Sequence, residues 1–373
     1  MKGHDMAQFM IPEKVYIGKD AFDEALPEIK KLGTKALIVT GKHVAASQAM
    51  SDVLSGLAKA GISNAVFDGI TGEPTDVMIS QATEAFIDGK CNLIIGVGGG
   101  SPMDSAKAVS AKTGFVPIVA VPTTAGTGSE ATRFTVITDS EKDIKELIAD
   151  DRILPKVAVV DPEYSISSPQ KITAQTGLDA LTHAVEAYTS KKAGVLTDAY
   201  ASEAVRKIMK YLPVAYEDGN DIEARTQMSE AAFMAGVCIS NSSVTIVHGM
   251  SRPIGALYHV PHGLSNAMLL PDALRFALPG AYDRFAYLGR ITHRELSQYD
   301  DKMAAEKFID DIESLCKVCR VPTLKEYGIR EEEFKNSIAK MSHDAIASGS
   351  PGNTRREVTE QDCANIYEKV YRR

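Results

Sequence analysis

Asp179 and His183 stand four residues apart in the run Gly177-Leu178-Asp179-Ala180-Leu181-Thr182-His183-Ala184. On a helix that spacing puts both side chains on one face, one turn apart, where they can reach the same ion. His248, in Val247-His248-Gly249, and His262, in Pro261-His262-Gly263, add two imidazoles in apolar surroundings. A charged imidazole is costly there unless it has a partner. One carboxylate and three imidazoles make a ligand set for a divalent transition metal, Fe2+ or alternatively Zn2+, with geometry rather than affinity choosing between them. Spacing alone does not show that the helices converge. His259 forms His-x2-His with His262 and reads as a wall residue on the substrate side rather than a ligand.

Two glycine-bearing loops could hold a phosphate ligand. Gly96-Val97-Gly98-Gly99-Gly100-Ser101-Pro102-Met103-Asp104 follows a strand-like run and precedes a helical pattern. Glycines let the backbone approach a ligand, and the new helix offers unpaired N–H groups and a positive dipole end. The pattern is GxGGGS and not the GxGxxG of the usual dinucleotide fingerprint. The second loop, Pro122-Thr123-Thr124-Ala125-Gly126-Thr127-Gly128-Ser129-Glu130, also follows an apolar run, and its hydroxyls suit a sugar–phosphate or nicotinamide-ribose contact.

These loops need a scaffold, and the pattern of the chain supplies one. Residues 36–40, 92–97, 116–121 and 157–160 are short β-branched runs, continuous rather than alternating, as in parallel strands covered on both faces. Helical patterns lie between them, for instance over 46–60 and 75–88. The succession predicts an α/β fold, with a Rossmann-like doubly wound parallel sheet whose ligand crevice lies at the carboxyl ends of the strands. After Asp161-Pro162 strand signals nearly vanish. Amphipathic patterns over 178–188, 197–211, 222–238, 303–316 and 331–342 predict an all-helical second half. Pro213, Pro261, Pro271, Pro322 and Pro351 are expected to end or kink its helices. The expected division is a dinucleotide-binding domain over residues 1–165 and a helical metal-binding domain over 166–373.

With 373 residues, 44% of them hydrophobic, the chain can bury two cores without disulfides. A formal charge of −8 argues against a phosphate-gripping nucleic-acid binder. No apolar run approaches the roughly 18 residues of a membrane helix, and Met1 to Lys14 shows no apolar leader segment. Five scattered cysteines suit a reduced, cytoplasmic protein. Cys316-Lys317-Val318-Cys319 has no second pair to make a zinc site, and His4, His43, His293 and His343 read as surface residues.

The cradle 98–104, the loop 122–130, the helix Gly177 to Glu186 and the segment His248-Gly249-Met250 through Pro261-His262-Gly263 occur in this order in the iron-containing (group III) alcohol dehydrogenases. The chain resembles that family over essentially its whole length. The resemblance implies a metal in the cleft between the two halves, bound by Asp179, His183, His248 and His262. It implies pyrophosphate on Gly98, Gly99, Gly100 and Ser101, at the start of the helix that carries Asp104. Thr123, Thr124 and Thr127 would line the rest of the dinucleotide, with Val136 and Lys145 near the ribose and nicotinamide. A metal there would polarise the alcohol or aldehyde oxygen while the nicotinamide carries the hydride. A homodimer is a further implication. Dehydroquinate-synthase-like enzymes share this architecture without net redox and are the alternative of another class.

Three departures from the family pattern bear on specificity. Where many members read His-Gly-Met-x-His-Pro, this chain reads His248-Gly249-Met250-Ser251-Arg252-Pro253. Arginine cannot shuttle protons at neutral pH but suits a carboxylate or sulfonate. Arg252 is therefore expected to bind an anionic substrate tail, as in the 4-hydroxybutyrate dehydrogenase branch. Pro253 disfavours helix at Arg252 itself. The expected substrates are succinate semialdehyde or sulfoacetaldehyde; a neutral short-chain alcohol of the lactaldehyde or 1,3-propanediol type is the alternative. Gly41 stands where many NAD-dependent members have Asp, so NAD is expected and NADP is not excluded. Glu73-Pro74-Thr75 replaces Asn-Pro-Thr, and an acid directed at the dinucleotide would disfavour an added phosphate.

Overall fold

The computed structural model describes residues 8–140 and 144–373. The first half contains β1 (Lys14–Ile17), α1 (Ala21–Leu32), β2 (Lys35–Val39), α2 (Lys42–Ala45), α3 (Gln48–Ala60), β3 (Ser63–Phe67) and α4 (Asp76–Asp88). It continues with β4 (Leu93–Gly98), α5 (Gly100–Lys112), β5 (Ile118–Pro122), β6 (Phe134–Asp139), β7 (Ile144–Ala149) and β8 (Val157–Val160). Six strands form one parallel sheet in the order β1-β8-β5-β4-β2-β3. The four anticipated strands are its centre. Their residues alternate between two covered faces: Ala36, Ile38 and Ile95 pack under α1 and α3, while Leu37, Val39 and Ile94 pack under α4 and α5. Burial on both faces is why these runs are continuously apolar.

The chain steps outward from β2 to β3, then crosses back to β4, so the winding reverses between β2 and β4. Ligands of doubly wound sheets bind at such a reversal. Gly41 follows the carboxyl end of β2, and Gly99 joins the carboxyl end of β4, at Gly98, to the start of α5. The edge strands β1 and β3 and the antiparallel ribbon β6–β7 were not anticipated. They lack continuous apolar runs because each leaves residues in solvent, as Ser63 and Asn64 do on β3.

The second half contains α6 (Gln170–Thr189), α7 (Val195–Glu217), α8 (Ile222–Asn241), α9 (Ile246–Tyr258), α10 (His262–Ala277), α11 (Tyr282–Thr292), α12 (Asp301–Val318), α13 (Glu331–Ala347) and α14 (Glu360–Arg372). From Gly177 to Thr189 every residue of α6 is buried, packed by α7, α8 and α10. None of the described helices is by itself long and apolar enough to cross a membrane.

The expected prolines divide between helix ends and helix interiors. Pro261, Pro322 and Pro351 lie outside the α-helices, but Pro213 lies inside α7, Pro271 inside α10 and Pro253 inside α9. An interior proline costs about 3 kcal/mol. Burial on its far side offsets that cost: Ala215 and Tyr216 in α7, Ala273 and Leu274 in α10, and Ile254 in α9 are all in the core. Arg252 is consequently helical, contrary to the expectation for a residue before proline.

Candidate active site

Three helices bring the four expected donors together. Asp179 and His183 lie on the buried α6, His248 in the first turn of α9, and His262 is the first residue of α10. The Asp179 Oδ1 atom lies 3.9, 3.8 and 3.7 Å from Nε2 of His183, His248 and His262. These separations exceed a hydrogen bond. They remain below the ~4.2 Å spanned by two ligands about 2.1 Å from a shared ion. One donor atom from each residue falls within 4.8 Å of the others. The His183 and His248 rings stack at 4.7 Å. His262 retains 39% side-chain exposure, against 6% or less for the other three, and marks the open side.

The protonation states suit a cation. Burial pushes His183 below its ordinary value, against the pull of Asp179. Burial also drives His248 well down, reinforced by repulsion from His183 and His262. Burial alone would raise Asp179, but the three histidines and the Asn266 amide bring it below the usual range. An ionised carboxylate beside neutral imidazoles is the form that binds a metal. This donor set fits a divalent iron or zinc ion.

Sequence reasoning missed the residues behind the ligands. Glu186 accepts from Thr245 Oγ1 at 2.6 Å and the Val247 N–H at 2.7 Å on one oxygen, and its other oxygen meets His248 Nδ1 at 2.5 Å. Asn266 Nδ2 lies 2.7 Å from Asp179 Oδ1, 3.1 Å from His248 Nε2 and 3.3 Å from His262 Nε2. Helical spacing was the available signal: Glu186 follows Asp179 by seven residues, and Asn266 follows His262 by four.

The two loops are also brought together. A Cβ at Gly100 would sit 2.8 Å from Thr127 Cγ2, and one at Gly99 3.4 Å from Thr124 Oγ1. No side chain caps α5, so its first N–H groups face the cradle without a side-chain partner. Thr123 donates its N–H to the Gly98 carbonyl at 2.9 Å. Gly128 (φ +62°) lets the second loop lie against α8, where a Cβ would come within 2.5 Å of Gly236 Cα. Ser101 is partly exposed at the start of α5.

The remaining expected contacts sit as follows. The Asp104 carboxylate is taken up by Ser129 Oγ at 2.6 Å and the Val136 N–H at 3.3 Å, tying α5 to β6. Behind it Lys107, fully buried, donates to Ser129 Oγ, Thr132 Oγ1 and the Phe134 carbonyl, a clamp the sequence did not reveal. Lys145 lies on β7 opposite Thr138, and its side chain falls outside the described residues, as does His4. Arg252 is partly buried and donates to Ser350 Oγ at 3.0 Å. His259 caps α9 in the left-handed region (φ 52°) and is exposed, its carbonyl accepting from Tyr327. All five cysteines are buried and unpaired, and burial pushes Cys316 and Cys319 up to about 12.

Comparison with known proteins covers both halves. Residues 12–162 match the family model described as iron-containing alcohol dehydrogenase, and residues 173–371 match that of the C-terminal part of the Fe-containing alcohol dehydrogenase family. An NAD-dependent methanol dehydrogenase from Bacillus methanolicus is 35% identical over 97% of this chain and 99% of its own length. The crystal structure of a 1,3-propanediol oxidoreductase superposes with a TM-score of 0.94 at 34% identity, covering 98% of this chain and 100% of its own. A sulfoacetaldehyde reductase from Bifidobacterium kashiwanohense, solved with NAD+, gives a TM-score of 0.84 at 27% identity over 99% of each chain.

Proposed function

This chain belongs to the iron-containing alcohol dehydrogenase family, and we propose that within it the protein interconverts a short aldehyde carrying an anionic tail with its primary alcohol. It is an NAD(P)-dependent oxidoreductase of that family. The substrate class rests on Arg252. One helical turn beyond His248, it shares the face of α9 that carries that ligand. Among the described residues no carboxylate forms an ion pair with it. Glu186, the anion acting on it through space, is already bonded to Thr245, Val247 and His248. A guanidinium withdrawn from water with only a hydroxyl partner is stabilised when a carboxylate or sulfonate arrives, and its planar fork binds either bidentately. Succinate semialdehyde is the first candidate and sulfoacetaldehyde the second. The name of the Bifidobacterium neighbour supports an anionic aldehyde.

In this reading Asp179, His183, His248 and His262 hold the metal. When bound, the cation supplies Lewis acidity toward the substrate oxygen, and the nicotinamide supplies the hydride chemistry. The N–H groups of Gly99, Gly100 and Ser101 receive the pyrophosphate at the start of α5, and Thr123, Thr124 and Thr127 line the remainder. Asp104 and Lys107 hold that second loop in register. Arg252 keeps its proton near neutral pH and so orients substrate without relaying protons. His259 stands at the rim. We assign residues 1–165 to dinucleotide binding and 166–373 to the metal, in a cytoplasmic homodimer.

The test is NADH oxidation by anaerobically Fe2+-loaded protein, comparing succinate semialdehyde and sulfoacetaldehyde with butanal. A preference of about 100-fold for the charged aldehydes, roughly 2.7 kcal/mol, is what one desolvated arginine–anion contact supplies. Equal rates would return the assignment to a neutral short-chain alcohol dehydrogenase, the reading that the names of the methanol and propanediol relatives favour.

A further inference from the structure

We propose that Glu186 is a positioning residue for the metal centre, fixing the ring orientation and tautomer of His248 so that Nε2 faces the other donors. The proposal rests on the reading of Asp179, His183, His248 and His262 as the cation site.

Glu186 is fully buried on α6, and a buried carboxylate is retained only where its lone pairs are satisfied. Here they are satisfied from one place, the first turn of α9. Thr245 Oγ1 and the Val247 N–H converge on Oε1, and His248 Nδ1 meets Oε2. Glu186 therefore lies behind the His248 ring, opposite the side on which Nε2 faces Asp179. It is a support and not a fifth ligand. With Glu186 ionised its oxygens can only accept, and Nδ1 then carries the proton while Nε2 keeps its lone pair for a cation. No side-chain bond from the N-cap residue Thr245 closes α9, so Glu186 also satisfies an orphan N–H at that helix start.

A purely structural cap and a ligand-orienting group make different predictions for Glu186→Gln. The amide oxygen of glutamine can keep both bonds to Thr245 and Val247, which preserves the cap. Its NH2 group then faces His248 Nδ1 and can only donate. That moves the ring proton to Nε2 and removes the lone pair a metal needs.

The experiment compares wild type with Glu186→Gln by two measurements. The first is Zn2+ affinity by competition with a chelator. The second is the His248 tautomer from ring 15N shifts of metal-free protein, alongside thermal unfolding. We expect Zn2+ affinity to fall by about 10- to 100-fold, the tautomer to invert, and the metal-free melting temperature to stay within a few degrees. Affinity within about two-fold of wild type with an unchanged tautomer would overturn the proposal. Should the glutamine variant not fold, Glu186→Asp, which withdraws the carboxylate by one methylene, is measured instead, and an unchanged Zn2+ affinity there overturns it equally. If wild type takes up no cation while the tautomer still inverts, the cation-site reading fails and the positioning of His248 stands.

Discussion

Gly41 lies so close to Ile70 that a Cβ at position 41 would come within 2.7 Å of the Ile70 carbonyl oxygen. An aspartate there, which under the proposed cofactor placement would bond ribose hydroxyls and repel a 2′-phosphate, is thus blocked by backbone as well as absent. The neighbouring side chains Lys42 and His43 are exposed, and they line a cleft with Ser47, Gln48 and Ser167. We expect NADPH to be accepted within about tenfold of NADH in kcat/KM, a difference near 1.4 kcal/mol. Saturation curves with both cofactors measure this directly. Gly41→Asp should lower the melting temperature rather than cleanly restrict the enzyme to NADH.

A second expectation concerns pH and stability. Burial pushes Glu130 up to about 7, with Lys107 opposing, and pulls Lys107 down to about 8. An acid whose folded-state pKa is raised binds more protons folded than unfolded between its two values. Its contribution to stability is therefore present below about pH 4.5 and is lost as pH rises to about 7, up to roughly 3 kcal/mol in all. Glu130→Gln should flatten that decline. Unfolding midpoints across pH 5 to 7.5 for both proteins test it, and parallel curves would show that Glu130 does not carry the effect.

What was legible in the sequence follows from where each residue sits. The strands β2, β4, β5 and β8 announced themselves because both their faces are buried. The edge strands and the β6–β7 ribbon did not, since their short sequences show neither a continuous apolar run nor the strict alternation of a half-buried strand. Asp179 and His183 were visible as members of a four-residue set with His248 and His262, since an Asp-x3-His pair by itself is more often a surface or core contact. Glu186 is equally close to the chemistry, yet a glutamate on a helix reads as surface until α6 is known to be buried on all sides. Arg252 was singled out for its type and misjudged in its backbone, because packing of Pro253 and Ile254 overrode the local bias against helix.

Removal of the metal should destabilise the protein. Four donors held in one cluster, three of them buried, leave Asp179 ionised without its cation, and a ligand bound only by the folded state adds stability by mass action. A strong chelator is expected to lower the melting temperature by several degrees, reversibly on adding Fe2+ or Zn2+. Asp179→Asn should lose activity together with this chelator response. A wild-type melting curve indifferent to both chelator and metal would contradict the assignment of the cluster.

Replacing Arg252 should separate charge recognition from the rest of catalysis. Among the described residues its guanidinium holds only the Ser350 hydroxyl and supports no ligand of the cluster through a hydrogen bond. Arg252→Ala is therefore expected to reduce kcat/KM for succinate semialdehyde by about 100-fold, the ~2.7 kcal/mol of one charge-assisted contact. Turnover of butanal should change by no more than a few-fold. Arg252→Lys restores the charge but not the planar fork, so it should recover only part of the loss. An alanine variant that loses both substrates equally would make Arg252 a structural residue of α9. One that loses neither would place the anion elsewhere in the cleft.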